Sequence, residues 1–177
     1  MKNKNGFSLT ELIIVVAIMS ILFGIAGISG KAWLDRYRVE GQMKTLFTDL
    51  MNARLSAMQK SRTYFVIFSP SEAAATQYTI YEDRHPADMA SPPERDGDEV
   101  LQTDTDTRVT QTNLNPAYSL TSAAGEIYFN SRGLVPGLVG TRTIRVIGSF
   151  GSAYDCIVVS LTTTRMGAWD GSECDVQ

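Results

Sequence analysis

The sequence predicts an α+β fold, with one long N-terminal α-helix packed on a small antiparallel β-sheet. Three observations carry that expectation. In residues 7–28 the only ionisable side chain is Glu11. Met43, Leu46, Phe47, Leu50, Met51, Ala57 and Met58 then recur at helical spacing, with Arg54 the one charged residue among them. From Arg62 onward, short apolar or alternating runs are separated by Gly, Pro, Asn and Ser.

The first run, as an α-helix, extends roughly 33 Å, about the thickness of a bilayer's hydrocarbon core. A carboxylate inside it costs on the order of 2–3 kcal/mol in lipid unless a cation or a route to the headgroups is available. Gly24, Gly27 and Gly30 leave this part of the helix locally soft. Trp33, Leu34 and Tyr37 follow, residues that suit a membrane interface because an aromatic ring keeps its body in lipid and its polar edge in water. One continuous helix is therefore expected from about Leu9 to about Lys60. Its second half lays an apolar stripe on a sheet, since the stripe is too short for the sustained heptads of a free coiled coil.

Residues 64–68, Tyr-Phe-Val-Ile-Phe, read as a buried strand stopped by Ser69-Pro70. Residues 77–81 alternate, with Tyr78 and Ile80 inward, and should pair with it as a hairpin. The polar segment 83–98 holds Pro86, Pro92, Pro93 and Gly97 and cannot bury enough apolar surface to pack, so it is expected as a surface loop. Short strands are expected at Val100-Leu101 and around Val109. Residues 126–130 lead into a turn at Ser131-Arg132-Gly133. Residues 143–147 and 156–161 should be neighbouring antiparallel strands with 148–155 as their loop, and a less regular tail is expected from Thr163 through Trp169 to Gln177.

The N-terminus carries a resemblance. Lys2 and Lys4, then Gly6, Phe7, Ser8-Leu9-Thr10-Glu11-Leu12 and an unbroken apolar run resemble the type IV prepilin signature shared by pili and by type II secretion pseudopilins. The resemblance implies cleavage between Gly6 and Phe7 by a prepilin peptidase, N-methylation of Phe7, and assembly with other pilins in a filament. There Glu11 would neutralise the Phe7 amine of a neighbouring copy. Elementary chemistry agrees: Gly6 has no side chain to obstruct a protease, and a basic leader keeps the N-terminus cytoplasmic. Residue 28 departs from the pattern, being Ile28 where many pilins have proline, so no proline kink is expected. Two other readings of the stretch exist. One is an ordinary secretory signal cleaved near Ala26-Gly27-Ile28-Ser29-Gly30, and the other a plain anchor whose Glu11 reaches the headgroups. Asp49-Leu50, Ala53-Arg54 and Ala57, and later the spacing from Phe129 to Gly133, are similar to minor pilins and H-type minor pseudopilins.

The resulting organisation is a leader at 1–6, a membrane-spanning and filament-core half-helix at 7–30, an amphipathic half-helix at 31–62, and a β-rich globular domain at 63–177. A chain of 177 residues with 44% apolar content fits one modest domain behind an anchor. The expected location is the bacterial inner membrane before assembly, then the periplasm or a surface pilus, either as a pilus subunit or in a type II secretion system. Removal of Lys2 and Lys4 with the leader takes the side-chain charge from -3 to -5, which weighs against wholesale binding to nucleic acid. Lys60, Arg62, Arg142, Arg145 and Arg165 could still form a basic patch for DNA, as in a competence pilin. An exported Cys156 and Cys174 would meet an oxidising compartment, where a bridge is expected in preference to two free thiols.

No catalytic constellation is present in the sequence, and no enzyme is expected. His85, the single histidine, precedes Pro86 in the polar loop, where a solvated side chain is expected. There is no zinc spacing, phosphate loop or nucleophile elbow, so neither a metal centre nor a cofactor is expected. Glu94, Asp96, Asp98 and Glu99, with Asp104 and Asp106, are oxygen-rich enough for calcium, though solvated loop carboxylates account for both clusters equally.

Overall fold

The structure, a computed structural model, describes residues 8–70, 74–83, 101, 106–122, 126–148 and 150–176, with the backbone alone at 25–29. One helix, α1 (Leu9–Lys60), occupies the N-terminal third. Ser8 starts it: its hydroxyl accepts the Glu11 N–H at 3.3 Å, satisfying a donor that the helix itself leaves open. Ser61 ends it in the left-handed region (φ 54°), with its N–H on the Ala57 carbonyl.

The second half of α1 buries Val39, Met43, Leu46, Leu50, Ala53 and Ala57, which succeed one another at intervals of three and four. The expected stripe thus shifts slightly around the helix: Val39 and Ala53 join it, Phe47 lies at its margin, and Met58 stays exposed. Full burial of a leucine such as Leu46 or Leu50 contributes roughly 2–3 kcal/mol.

Two antiparallel sheets receive this stripe, where a single sheet was expected. The first has the order β3-β2-β1-β5, from β1 (Tyr64–Ser69), β2 (Gln77–Glu82), β3 (Thr107–Asn113) and β5 (Glu126–Phe129). The second has the order β4-β6-β7-β8-β9, from β4 (Leu120–Ser122), β6 (Thr141–Val146), β7 (Cys156–Ser160), β8 (Thr164–Trp169) and β9 (Cys174–Val176). The division follows from long-range pairing. Strand β5 lies beside β1 with Tyr64 opposite Phe129, whereas β4, a few residues earlier, lies beside β6 with Leu120 opposite Val146. Ala75 and Leu120 exchange two backbone hydrogen bonds (2.7 and 2.9 Å) and hold the sheets together at one corner.

The hairpin of β1 and β2 forms as expected, in register from Tyr64 opposite Glu82 to Ser69 opposite Gln77, with Tyr78 and Ile80 buried. Val109 lies in β3, an edge strand that is longer than expected; Leu101 is in no regular element, and Val100 and most of the 83–98 segment lie outside the described residues. The tail is the clearest correction. Residues 164–176 form a regular hairpin, β8 and β9, because Asp170 caps the turn: its Oδ1 accepts the N–H groups of Ser172 and Glu173, both at 2.7 Å, which holds its carboxyl below the usual range.

At the foot of α1, buried Glu82 receives Lys60 Nζ at 2.6 Å and the Tyr64 hydroxyl at 2.7 Å, with Arg62 at 3.8 Å. The Glu82 hydrogen bond raises Lys60 above its ordinary 10.5, and burial raises the Tyr64 phenol above 10.0. Both shifts have one sign: the folded state holds protons that the unfolded chain releases sooner. Stability from this cluster is therefore complete at neutral pH and is expected to fall as pH rises above about 10 to 10.5. Thermal melts across pH 7–11 should show that decline, and Lys60→Gln should remove the Lys60 share of it while the Tyr64 share remains.

Candidate functional site

The first half of α1 makes no use of the stripe that anchors the second. Leu12, Ile13, Ile14, Val15, Val16, Ile18, Met19, Ile21, Leu22 and Phe23 are all at least half exposed, so the rod is apolar on every face rather than along one seam. An amphipathic helix buries a stripe; one apolar all round needs an apolar environment on all sides. Ser20 turns its hydroxyl back onto the Val16 carbonyl at 2.8 Å and so presents no unpaired donor. Glu11 stands exposed in the first turn, where the positive end of the helix dipole favours a carboxylate. Among the described residues no cation pairs with it. The cleavage and methylation positions, Gly6 and Phe7, lie outside the described residues.

Among the described residues, no helix is long and apolar enough to cross a membrane; the side chains of residues 25–29 lie outside the described ones.

A row of polar contacts fixes how the rod leaves the globular part. Asp35, Gln42 and Asp49 are spaced by seven and lie along one flank of the buried stripe. Tyr118 donates to Asp35 (2.5 Å), Gln42 donates to the Tyr118 carbonyl (2.7 Å), and Tyr78 donates to Asp49 (2.6 Å). Burial, reinforced by Asp49, pushes the Tyr78 phenol well above its ordinary range. Arg36 donates to the Phe150 carbonyl at 3.0 Å, and Glu40 accepts the Ala153 N–H at 3.1 Å. Sequence reading named Asp49 only for its resemblance to minor pilins and missed these contacts, although the seven-residue spacing was there to find.

Cys156 and Cys174 are joined, with Cα atoms 6.0 Å apart. The bridge links β7 to β9 and passes over the intervening β8 at Gly167, which pairs with Cys156. A Cβ on Gly167 would run into the Asp175 carbonyl, so only glycine lets β9 fold this closely onto β8.

The arginines expected to form one basic patch are separated. Arg142 pairs with core residue Val159, hence points to the inner face, and donates to the Glu126 carbonyl at 2.7 Å. Arg145 pairs with Cys156 on the opposite face and lies 4.7 Å over the Trp169 ring; Arg165, opposite Val158, shares that face and is exposed. Lys60 and Arg62 belong to the Glu82 cluster instead. Burial raises the carboxyl of Asp155, whose Oδ1 accepts the Trp169 N–H at 2.6 Å.

Of the calcium candidates, Asp106 is buried beside β3 and engaged in an interaction, whereas Glu94, Asp96, Asp98, Glu99 and Asp104 lie outside the described residues, as does His85. Among the described residues no group of three His, Cys, Asp or Glu is arranged to hold a metal ion. A groove of about 200 Å³ between α1 and β3 is lined by Gln42, Thr45, Tyr78, Thr112, Asn113 and Leu114.

Residues 1–27 match the family profile described as the prokaryotic N-terminal methylation motif. The chain carries a prepilin-type N-terminus. No curated protein matches it. Its fold is similar to that of the type IV minor pilin FimU of Pseudomonas aeruginosa, at a TM-score of 0.53 and 11% identity over 77% of this chain and 92% of that one. A second crystal form of FimU gives 0.50 and 12%, covering 73% and 92%. The minor pseudopilin EpsH from the type 2 secretion system of Vibrio cholerae is also similar, at 0.46 and 15%, covering 74% and 97%. The chain therefore has an α+β pilin fold: an N-terminal helix packed on antiparallel sheets.

Proposed function

We propose that this chain is a minor pilin-like structural subunit, not an enzyme, that enters or primes a type IV pilus after its leader is cut between Gly6 and Phe7. The observation that carries the reading is the half-helix that is apolar on every described face, with Glu11 in its first turn. Before assembly, residues 7–30 span the inner membrane with the N-terminus cytoplasmic. In the filament the same surface packs against other pilin helices, exchanging lipid for protein without exposing apolar side chains to water.

Glu11 then sets axial position. An unpaired carboxylate in that core is penalised, and the Phe7 amine freed by the peptidase on a neighbouring chain supplies the counter-charge. Subunits that fail to align the two charges are rejected. The clamp along Asp35, Gln42 and Asp49 keeps the globular part at a fixed angle to the rod, so that axial register of the helix also positions the surface of the sheets.

A strain lacking the chain, scored for surface pili and for secretion of folded enzymes, tests the reading. Loss of pili with secretion intact is the expected result. Normal pili with failed secretion would make the chain a type II secretion pseudopilin, and normal pili with failed DNA uptake a competence pilin.

A further inference from the structure

Between residues 31 and 44 the structure sorts the charges of α1 into two groups. Asp35 is taken by the Tyr118 hydroxyl, Arg36 by the Phe150 carbonyl, and Glu40 by the Ala153 N–H and by Lys44, which also lies over the Tyr154 ring. Lys31 and Arg38 remain exposed, and among the described residues neither forms an ion pair. They are seven residues apart, hence on one side of the helix and about 10 Å apart along it. Exposed Leu34 lies between them, and Trp33 and Tyr37, stacked with ring centroids 5.9 Å apart, stand at the same level of the helix on another exposed face. The run from Lys31 to Arg38 carries three cations and one carboxylate; the globular part engages Arg36 and Asp35, which leaves Lys31 and Arg38 as the exposed charges of this segment.

We infer that Lys31 and Arg38 bind the phosphates of anionic phospholipids in the leaflet from which the globular part emerges. This rests on the membrane-spanning state proposed above. Three physical points select that occupant. The surface continues directly from the apolar rod, at the depth where stacked Trp and Tyr rings favour headgroups. A guanidinium fork and an ammonium are matched to phosphate oxygens by charge-assisted hydrogen bonds. And exposed cations that lie within a Debye length of a membrane surface are attracted to its anionic headgroups. Asp35, three and four residues from these cations, is engaged by the Tyr118 hydroxyl and forms no ion pair with either of them among the described residues. The bound lipids would hold the chain upright at fixed depth, with Glu11 presented at constant height to the assembly machinery.

The test uses the full chain, with Trp169→Phe so that Trp33 is the sole tryptophan, reconstituted in mixed phosphatidylglycerol and phosphatidylcholine bilayers. Trp33 fluorescence is quenched with brominated acyl chains on one lipid or the other. Phosphatidylglycerol should quench at least about twofold more strongly than phosphatidylcholine, a preference that shrinks with added salt and disappears in Lys31→Gln/Arg38→Gln. Equal quenching by the two lipids overturns the inference while leaving the membrane-spanning reading intact. No quenching by either overturns both. A double variant that keeps the lipid preference but fails to enter filaments also overturns it, and assigns the cations to acidic groups of a neighbouring subunit.

Discussion

Glu11→Ala is expected to be cleaved normally and then to be nearly absent from filaments. In the function proposed above, cleavage depends on the junction at Gly6 and Phe7, whereas incorporation depends on matching a buried amine, which the variant would leave without a partner. Removing one member of a buried ion pair costs about 3–5 kcal/mol because the remaining charge is uncompensated. At 1.4 kcal/mol per factor of ten, incorporation should drop by two orders of magnitude or more. Glu11→Gln should fail nearly as completely, since an amide keeps the shape and loses the charge. Glu11→Asp should recover part of the loss. Immunoblots of sheared filaments against total membranes separate processing from assembly. The fold of the globular part should be unchanged, because Glu11 touches none of it: apart from the helix's own backbone ladder, its described hydrogen bond is from its N–H to Ser8.

The second large effect is expected at the bridge between β7 and β9. Loss of the Cys156–Cys174 link by Cys174→Ser releases a loop of 18 residues in sequence separation, about 3 kcal/mol in the chain-entropy picture. Gly167→Ala attacks the same closure by another route. Its Cβ meets the Asp175 backbone rather than a side chain that could swing away, so β9 must move, at about 1–3 kcal/mol. The double substitution should cost less than the two singles combined, because once β9 is released the new methyl has nothing to strike. Chemical denaturation of the oxidised single and double variants gives the comparison directly. Additive losses would mean that Gly167 and the bridge act on separate parts of the sheet.

How much of this was legible depended on whether the information was local. The helix was readable from end to end, since an apolar run followed by residues at three-and-four spacing admits little else, and β1 and β2 announced themselves by their apolar and alternating side chains. The assignment of strands to two sheets was not readable. Whether Phe129 lies opposite Tyr64 and Leu120 opposite Val146 depends on contacts far apart in sequence. Strands β8 and β9 were missed because Met166 is the one large side chain of residues 164–168 that packs on the core, with Gly167 beside it; their order comes from the Asp170 turn and the disulfide.

The site divides in the same way. Glu11 was conspicuous as one charge in a long apolar run. The basic patch failed on parity: Arg142 and Arg145 sit three apart in one strand and so face opposite sides, which a strand reading of residues 143–147, extended by one residue, would have shown. The pairing of Asp35 with Tyr118 joins residues far apart in sequence and leaves no local trace.

The central claim is that proteolysis creates the counter-charge for Glu11, and the mass of the N-terminal peptide of the chain recovered from filaments tests it most directly. The predicted result is a mature chain that begins at Phe7 and carries one methyl group on its amine. A chain that begins at any other residue, or that retains residues 1–6 within an assembled filament, would contradict it.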